Sequence, residues 1–207
     1  MSKCPVPIDT LKEIDMVRII VKNLFKILTK LVFFVKVNGK ENMPKNGAAI
    51  MCANHISLLD GPTVVAYTKR KVDILGKDDL FKNKFLKWFW GKLLLHPIKR
   101  DSADLGAIKI SLKLLKEGKL LMLFPEGTRN GIKKGLKPKN GAVVMAIKAG
   151  VPIIPIGIKG NFKPFRRMII NIGKPIDYGE FKDKINDKEL MDKLTKELMD
   201  NIIDLTK

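Results

Sequence analysis

The feature that most limits what this chain folds into is an alternation. Between residues 48 and 172, apolar runs too short for helices take turns with segments of helical period, and Gly, Pro and Asn punctuate the joins. Short apolar runs bounded by turn residues read as buried strands. Strands separated by helices predict an α/β domain with helices packed on a sheet. The strand candidates are Ala48–Ala53, Val72–Leu75, Leu120–Phe124, Val151–Ile158 and Met168–Ile172. Asp60-Gly61-Pro62 reads as a helix start, an N-cap followed by Pro in the first turn. Leu80–Leu94, Ser102–Glu117, Gly141–Ala149 and Asp187–Leu205 read as further helices, with Gly118 and Gly150 closing two of them. The expected fold class is therefore α/β, a mixed, largely parallel sheet flanked by helices, with an N-terminal amphipathic helical region.

That region spans residues 9–35, as one helix or two short ones. Leu11, Ile14, Val17, Ile20, Val21, Leu24, Leu28 and Leu31 recur at helical spacing. Arg18, Lys22, Lys26 and Lys30 step by four beside them and form a basic stripe. Such a helix suits a membrane interface, with its cations near anionic headgroups. The same pattern also fits a helix packed on its own domain with a solvated Lys edge. Turn-rich Val37–Lys40 and Met43–Gly47 separate it from the rest of the chain, so the expected division is 1–36, membrane-associating, and 37–207, a single globular domain.

Charge narrows the partners. The 207 residues carry a formal net charge of +19, which favours anionic partners: nucleic acid, acidic lipid or phosphorylated substrates. No nucleic-acid motif is present and the aromatic residues sit in apolar contexts, so nucleic acid is not an expected partner. Two cysteines, Cys4 and Cys52, make no disulfide framework and no metal spacing. No signal-peptide core opens the chain, and no run of about 18 apolar residues predicts a membrane span.

Three stretches carry chemistry. Asn54-His55-Ile56-Ser57-Leu58-Leu59-Asp60 follows a buried strand and precedes a helix, where α/β folds place their reactive groups. His55 has the side chain best suited to take a proton from a hydroxyl. Asp60 has two readings open to it, helix cap or orienting partner of the imidazole. Phe124-Pro125-Glu126-Gly127-Thr128-Arg129 leads from a strand through a turn to a guanidinium suited to phosphate. Pro97-Ile98-Lys99-Arg100-Asp101 places two cations before a helix start, a setting that favours anions. His96, with no carboxylate close in sequence, reads as structural.

Taken in order, these stretches resemble the glycerolipid acyltransferases, and among them the bacterial 1-acylglycerol-3-phosphate acyltransferases. NHISLLD fits their N-H-x-x-x-x-D motif and FPEGTR their second signature. Lys77–Phe81 resembles their K-x-E-L-F segment, with Asp79 in place of Glu. Pro97–Arg100 resembles the block ending in a phosphate-contacting Arg, and Val151–Pro155 their V-P-I-x-P block. The likeness covers roughly residues 35–175. Two stretches depart from the pattern, the Lys-rich Gly131–Lys139 and His96–Lys99, and both bear on the acceptor more than on the reaction.

The resemblance implies acyl transfer from a thioester, acyl-CoA or acyl-carrier protein, to the hydroxyl of 1-acyl-glycerol-3-phosphate, giving phosphatidate. Glycerol-3-phosphate or another lysophospholipid would suit the same chemistry, and a non-catalytic basic membrane- or nucleic-acid-binding protein is a distant alternative. His55 would be the general base and Asp60 its partner. Asn54, Ser57, Lys77, Arg100, Glu126, Gly127, Thr128 and Arg129 would bind substrate, with Glu126 ordering Arg129, Lys99 or a glycerol hydroxyl. Trp88–Trp90 would join the N-terminal helix as an interfacial anchor. No metal and no cofactor are implied. The expected place is the cytoplasmic face of the cell membrane, peripheral or monotopic, against anionic lipid.

Overall fold

The computed structural model describes residues 8–77, 81–84, 87, 95–98 and 105–207, with backbone alone at 8–15, 77, 97–98 and 105. The helix expected over Leu80–Leu94, with its Trp88–Trp90 segment, falls mostly outside these residues, as do Lys99, Arg100 and Asp101. In chain order the elements are α1 (Ile8–Phe33), β1 (Lys36–Asn38), β2 (Ala49–Ala53), α2 (Asp60–Tyr67), β3 (Val72–Lys77) and β4 (Leu95–Ile98). Then come α3 (Leu105–Lys116), β5 (Leu120–Leu123), α4 (Gly141–Ala149), β6 (Ile153–Lys159), β7 (Ile169–Ile172) and α5 (Lys188–Asp204).

Seven strands form one sheet in the order β1-β7-β6-β2-β5-β3-β4. Every neighbouring pair is parallel except β6 with β7. The sheet is thus mixed and largely parallel, as expected. Central β2, Ala-Ile-Met-Cys-Ala, is buried at all five positions, because helices cover both faces of a parallel sheet. Alternation sorts its side chains. Ile50 and Cys52 join Leu121 and Ile153 under α3, α4 and α5. Ala49, Met51 and Ala53 join Leu120, Met122 and Ile154 on the other face, where α2 contributes Val64. α1 packs on α2 as an outer layer.

β6 holds a proline although it is flanked on both sides. Its even-numbered residues bond toward β2: Ile158 bonds there through both N–H and carbonyl. Odd-numbered Ile153 bonds the other way, to Ile176. Pro155 therefore turns its missing N–H to the β7 side, at the gap between the Ile153–Ile176 bridge and the β7 ladder that begins at Ile156. Only its carbonyl is needed there, and it accepts from Gly173 N–H at 2.8 Å.

Two expectations need correction. Val37–Lys40 is not only a turn: Lys36–Asn38 is a strand paired with β7. Asp60 is not the N-cap of α2: Leu59 holds that position with no side-chain cap, and Asp60 is the first helical residue. Its carboxylate reaches backward instead, to the N–H groups of Ile56 and Ser57 in the preceding loop. Asp187, by contrast, does cap α5, accepting from Leu190 N–H at 3.0 Å.

Gly157 in β6 lies against the end of α5, where an added Cβ would stand 2.4–2.6 Å from Leu205 atoms, two of them backbone. The helix end would have to move. Gly157→Ala is expected to lower unfolding stability by about 1–3 kcal/mol, read from urea denaturation, whereas Gly118→Ala, with open space around its Cβ at φ 75°, should cost about 1 kcal/mol from backbone strain alone.

Candidate active site

β2 and β5 are adjacent and parallel, so the chain leaves both at the same sheet edge. The alternation of β2 carries past Ala53 to put the His55 ring on the α2 face. That of β5 puts Phe124 there too. The two rings stack, with centroids 4.1 Å apart and planes 19° apart. Phe124 was not singled out from sequence, although its parity with Leu120 and Met122 was the available signal.

Asp60 is the anchor of the loop. It is 0% exposed. Its Oδ2 accepts from the N–H of Ile56 and of Ser57, both at 2.7 Å, and lies 2.8 Å from His55 Nδ1. With two N–H groups already donating to it, Oδ2 is an acceptor, so Nδ1 carries the hydrogen in the third bond. This tautomer leaves the Nε2 lone pair as the ring's basic site. The helix start adds favourable field for the buried carboxylate. Asp60 Oδ1 is buried with no hydrogen-bond partner among the described residues.

Two residues expected to touch substrate hold backbone. Asn54 is 9% exposed. Its Nδ2 donates to Ile158 carbonyl at 3.0 Å and its Oδ1 accepts from Ile158 N–H at 2.7 Å. The side chain thus adds one rung to the β2–β6 ladder. Glu126, 7% exposed, accepts from His55 N–H at 2.8 Å and from Ile132 N–H at 3.0 Å. It bridges the two motif loops, and no ion pair joins it to Arg129 among the described residues. Asn130 N–H donates back to His55 carbonyl at 2.6 Å, so the loops are tied in both directions. Ser57 Oγ accepts from Leu59 N–H at 3.2 Å and shapes the same turn.

The remaining candidates sit around this frame. Gly127 has φ 68°, and a Cβ there would meet the Lys139 side chain at 2.9 Å. Thr128 is half-buried and Arg129 exposed. The N–H groups of Gly127, Asn130, Gly131 and Ile132 are all donated to protein acceptors. Those of Thr128 and Arg129 have no such acceptor among the described residues. β3 ends at Lys77 on the same sheet edge; its side chain and Arg100 lie outside the described parts of the chain.

Cys52, near His55 in sequence, is on the opposite face of the sheet, fully buried among Ile50, Leu121 and Ile153. Burial pushes its thiol far up from the ordinary value, so it is no nucleophile. No cluster of three metal-ligating side chains occurs among the described residues. His96 does have a carboxylate partner: Nε2 lies 2.6 Å from Oδ1 of buried Asp73. The pair bridges neighbouring strands β3 and β4, which distance in sequence concealed.

The chain is similar to known proteins. A family model described as "Acyltransferase" matches residues 34–159. The 1-acyl-sn-glycerol-3-phosphate acyltransferase of Bacillus subtilis is 30% identical over 190 residues, covering 88% of this chain and 94% of that protein. The Haemophilus influenzae protein of the same name is 31% identical over 190 residues, covering 83% and 79%. The crystal structure of the 1-acyl-sn-glycerophosphate (LPA) acyltransferase PlsC from Thermotoga maritima superposes with a TM-score of 0.64 at 27% identity, covering 94% of this chain and 84% of that one. With more than half its length matched by the family model and its fold in agreement, this chain belongs to the acyltransferase family.

Proposed function

We propose that the protein transfers a fatty acyl chain from an acyl thioester to the free hydroxyl of 1-acyl-glycerol-3-phosphate, forming phosphatidate. The observation that carries this reading is the His55–Asp60 pair, held at 2.8 Å in a loop over the edge of the sheet. It supplies one base, and the buried thiol of Cys52 leaves acyl transfer to proceed directly between the substrates. The names of the relatives supply the acceptor.

His55 Nε2 removes the proton of the acceptor hydroxyl as its oxygen attacks the thioester carbonyl carbon. The carbon–oxygen bond forms and a tetrahedral oxyanion results. Collapse of that intermediate breaks the carbon–sulfur bond. The imidazolium returns its proton to the departing thiolate, and no acyl-enzyme forms. Asp60 stabilises the imidazolium meanwhile. The free N–H groups of Thr128 and Arg129 are the proposed oxyanion donors, since preorganised donors are the strongest aid to such a step. Arg129, with Lys77 and Arg100, is assigned the acceptor phosphate. Gly127 allows close approach of the backbone. Asn54, Ser57 and Glu126 keep the two loops in register. The donor is acyl-CoA or acyl-carrier protein, either of which a basic surface attracts.

α1 is assigned the membrane surface. No helix among the described residues is long and apolar enough to cross a membrane. Yet Leu24 and Leu31 of α1 are 66% and 65% exposed, and Ile20, Ile27 and Leu28 more than half exposed. The basic stripe is turned inward only in part: Arg18 is buried and Lys22 half-buried, while Lys26 and Lys30 are exposed, Lys26 Nζ lying 5.6 Å from the Tyr67 ring centroid on α2. An apolar face left open to the outside suits the headgroup–acyl boundary. Phe165, 75% exposed beside Arg166 and Arg167, is tied to the end of α1 by its N–H bond to Val32 carbonyl at 2.6 Å, and extends that face. Residues 1–36 are thus proposed as the membrane-associating region and 37–207 as the catalytic domain, working at the cytoplasmic face.

Two outcomes are expected. In mixed micelles with lysophosphatidate and either donor, His55→Ala should lower kcat by about 10²–10⁴-fold, and Asp60→Asn by a similar factor through the wrong tautomer; phosphatidate formed equally by His55→Ala and wild type would sink the base assignment. Ile20→Asp/Leu24→Asp changes only exposed positions, so circular dichroism should be unchanged. Sedimentation with neutral phosphatidylcholine vesicles should fall at least roughly tenfold, and unaltered sedimentation would remove α1 as the anchor.

A further inference from the structure

Five cations meet around one cavity at the end of α2 remote from His55. The cavity holds about 210 Å³ and is lined by Arg18, Ile19 and Lys22 of α1 and by Lys69, Arg70 and Lys71 of the turn into β3, with Val65 and Val72 at its base. No carboxylate lines it among the described residues.

The fold holds these cations in place. Arg70 donates to the carbonyls of Pro44, Gly47 and Gly118 at 3.1, 2.7 and 3.0 Å. Lys22 donates to Thr68 carbonyl at the C-terminal end of α2, where a helix favours positive charge. Arg18 is only 8% exposed. Like charges so close repel. Lys22 registers this: burial, then the neighbouring Arg18 and Lys26, hold its pKa below the ordinary lysine value. An anion in the cavity would relieve that repulsion.

The surroundings decide the kind of anion. Ile19 lines the cavity and is also 57% exposed on the outward face of α1. A phosphate among the cations would therefore stand beside the hydrocarbon strip that continues along Met16, Ile20 and Leu24. A lone ion has no use for that strip, and an amphiphile fills it.

We propose that this cavity is a headgroup site for an anionic phospholipid other than the substrate. Its phosphate lies among Arg18, Lys22, Lys69, Arg70 and Lys71, and its acyl chains run along the apolar face of α1. The eight residues of α2, about 12 Å at 1.5 Å per residue, separate it from Asp60 and the acceptor hydroxyl. The choice of lipid over free phosphate rests on the membrane-surface reading of α1. Occupancy would pin α1 and the start of β3 to the bilayer, fixing the height of His55 above it.

Sedimentation of the full chain with two vesicle types tests this, pure phosphatidylcholine and phosphatidylcholine mixed with phosphatidylglycerol. Arg18→Gln/Lys22→Gln is compared with Lys69→Gln/Lys71→Gln, whose two positions are exposed, and circular dichroism checks the fold of both. Lys116→Gln/Lys148→Gln, exposed on α3 and α4 across the sheet, removes equal charge elsewhere. Each cation near an anionic surface contributes about fivefold in affinity, so either cavity pair should weaken binding to anionic vesicles by roughly 25-fold and the control by less than about threefold. Binding to neutral vesicles should be unchanged in all three. Equal losses in cavity and control variants would mean diffuse attraction and overturn the proposal. Equal losses on both vesicle types would do the same, by assigning these residues to general docking. Inorganic phosphate bound by the protein and lost in the cavity variants, with wild-type binding no stronger to anionic than to neutral vesicles, would make the site one for free anions and overturn the lipid. Wild-type protein that binds neither vesicle type would remove the membrane-surface reading and this site together.

Discussion

A carboxylate with no exposed surface organises the reactive edge of this protein. Burying a charge is expensive unless hydrogen bonds and field replace water. Asp60 meets that demand with three donors on one oxygen, two of them backbone, and with its place in the first turn of α2. The demand runs the other way as well. Ile56 and Ser57 must turn their N–H groups inward to meet Oδ2, which bends the loop around it. His55 must then present Nδ1 to the carboxylate and Nε2 away from it. Pro62 falls where a missing N–H costs nothing in a helix start. The loop's shape and the tautomer of its histidine are thus one solution to one electrostatic problem.

How far this was legible in the sequence depends on the distance between partners. The alternation of strands and helices fixes class and layers because each element's period is local. Gly150 was readable as the stop of α4 for the same reason, and it closes that helix at φ 62°. The His55–Asp60 contact spans five residues, so spacing alone made it one of two readings. The local rule for Asp at a helix start predicted a forward cap, and backward bonds to Ile56 and Ser57 won because they also hold the imidazole. Asn54 and Glu126 were legible as motif residues but not in what they touch. Their partners lie 104 and 71 residues away, and the family pattern marks a position without saying which side it faces. β1 is three residues long and pairs with β7 across 133 residues, through Asn38 and Asn171 as well as backbone; nothing in Lys-Val-Asn beside Gly39 announces a strand. Asp73 and His96 came together for the same reason, by adjacency of strands.

The N-terminal helix shows a different limit. Periodicity separates its apolar and basic stripes but does not say which one faces inward. In water the answer would be the apolar one. Here Arg18, Lys22 and Thr29 lie against the domain while Met16, Ile19, Ile20, Leu24, Ile27, Leu28 and Leu31 are each more than half exposed. Local reasons for the inward stripe exist. The carbonyl of Thr68, at the C-terminal cap of α2, accepts from Lys22, and the face of Tyr67 receives Lys26.

Those contacts are modest beside what the exposed face forgoes. Full burial of a large aliphatic side chain is worth roughly 1.5–3 kcal/mol. Seven such chains at about half exposure leave on the order of 5–10 kcal/mol unrealised in water. The membrane surface proposed for α1 would supply a second apolar phase to that face. α2 carries Asp60 at one end and packs against α1. Whatever covers the outer face of α1 is then held one helix layer from the loop that bears His55. For an acceptor whose hydroxyl sits at a bilayer surface, the proposed placement of α1 would bring the proposed base to the hydroxyl while the acyl chain stays in hydrocarbon. On the function proposed here, the exposed apolar face of α1 would set the distance to the substrate and the buried carboxylate of α2 the direction of the base.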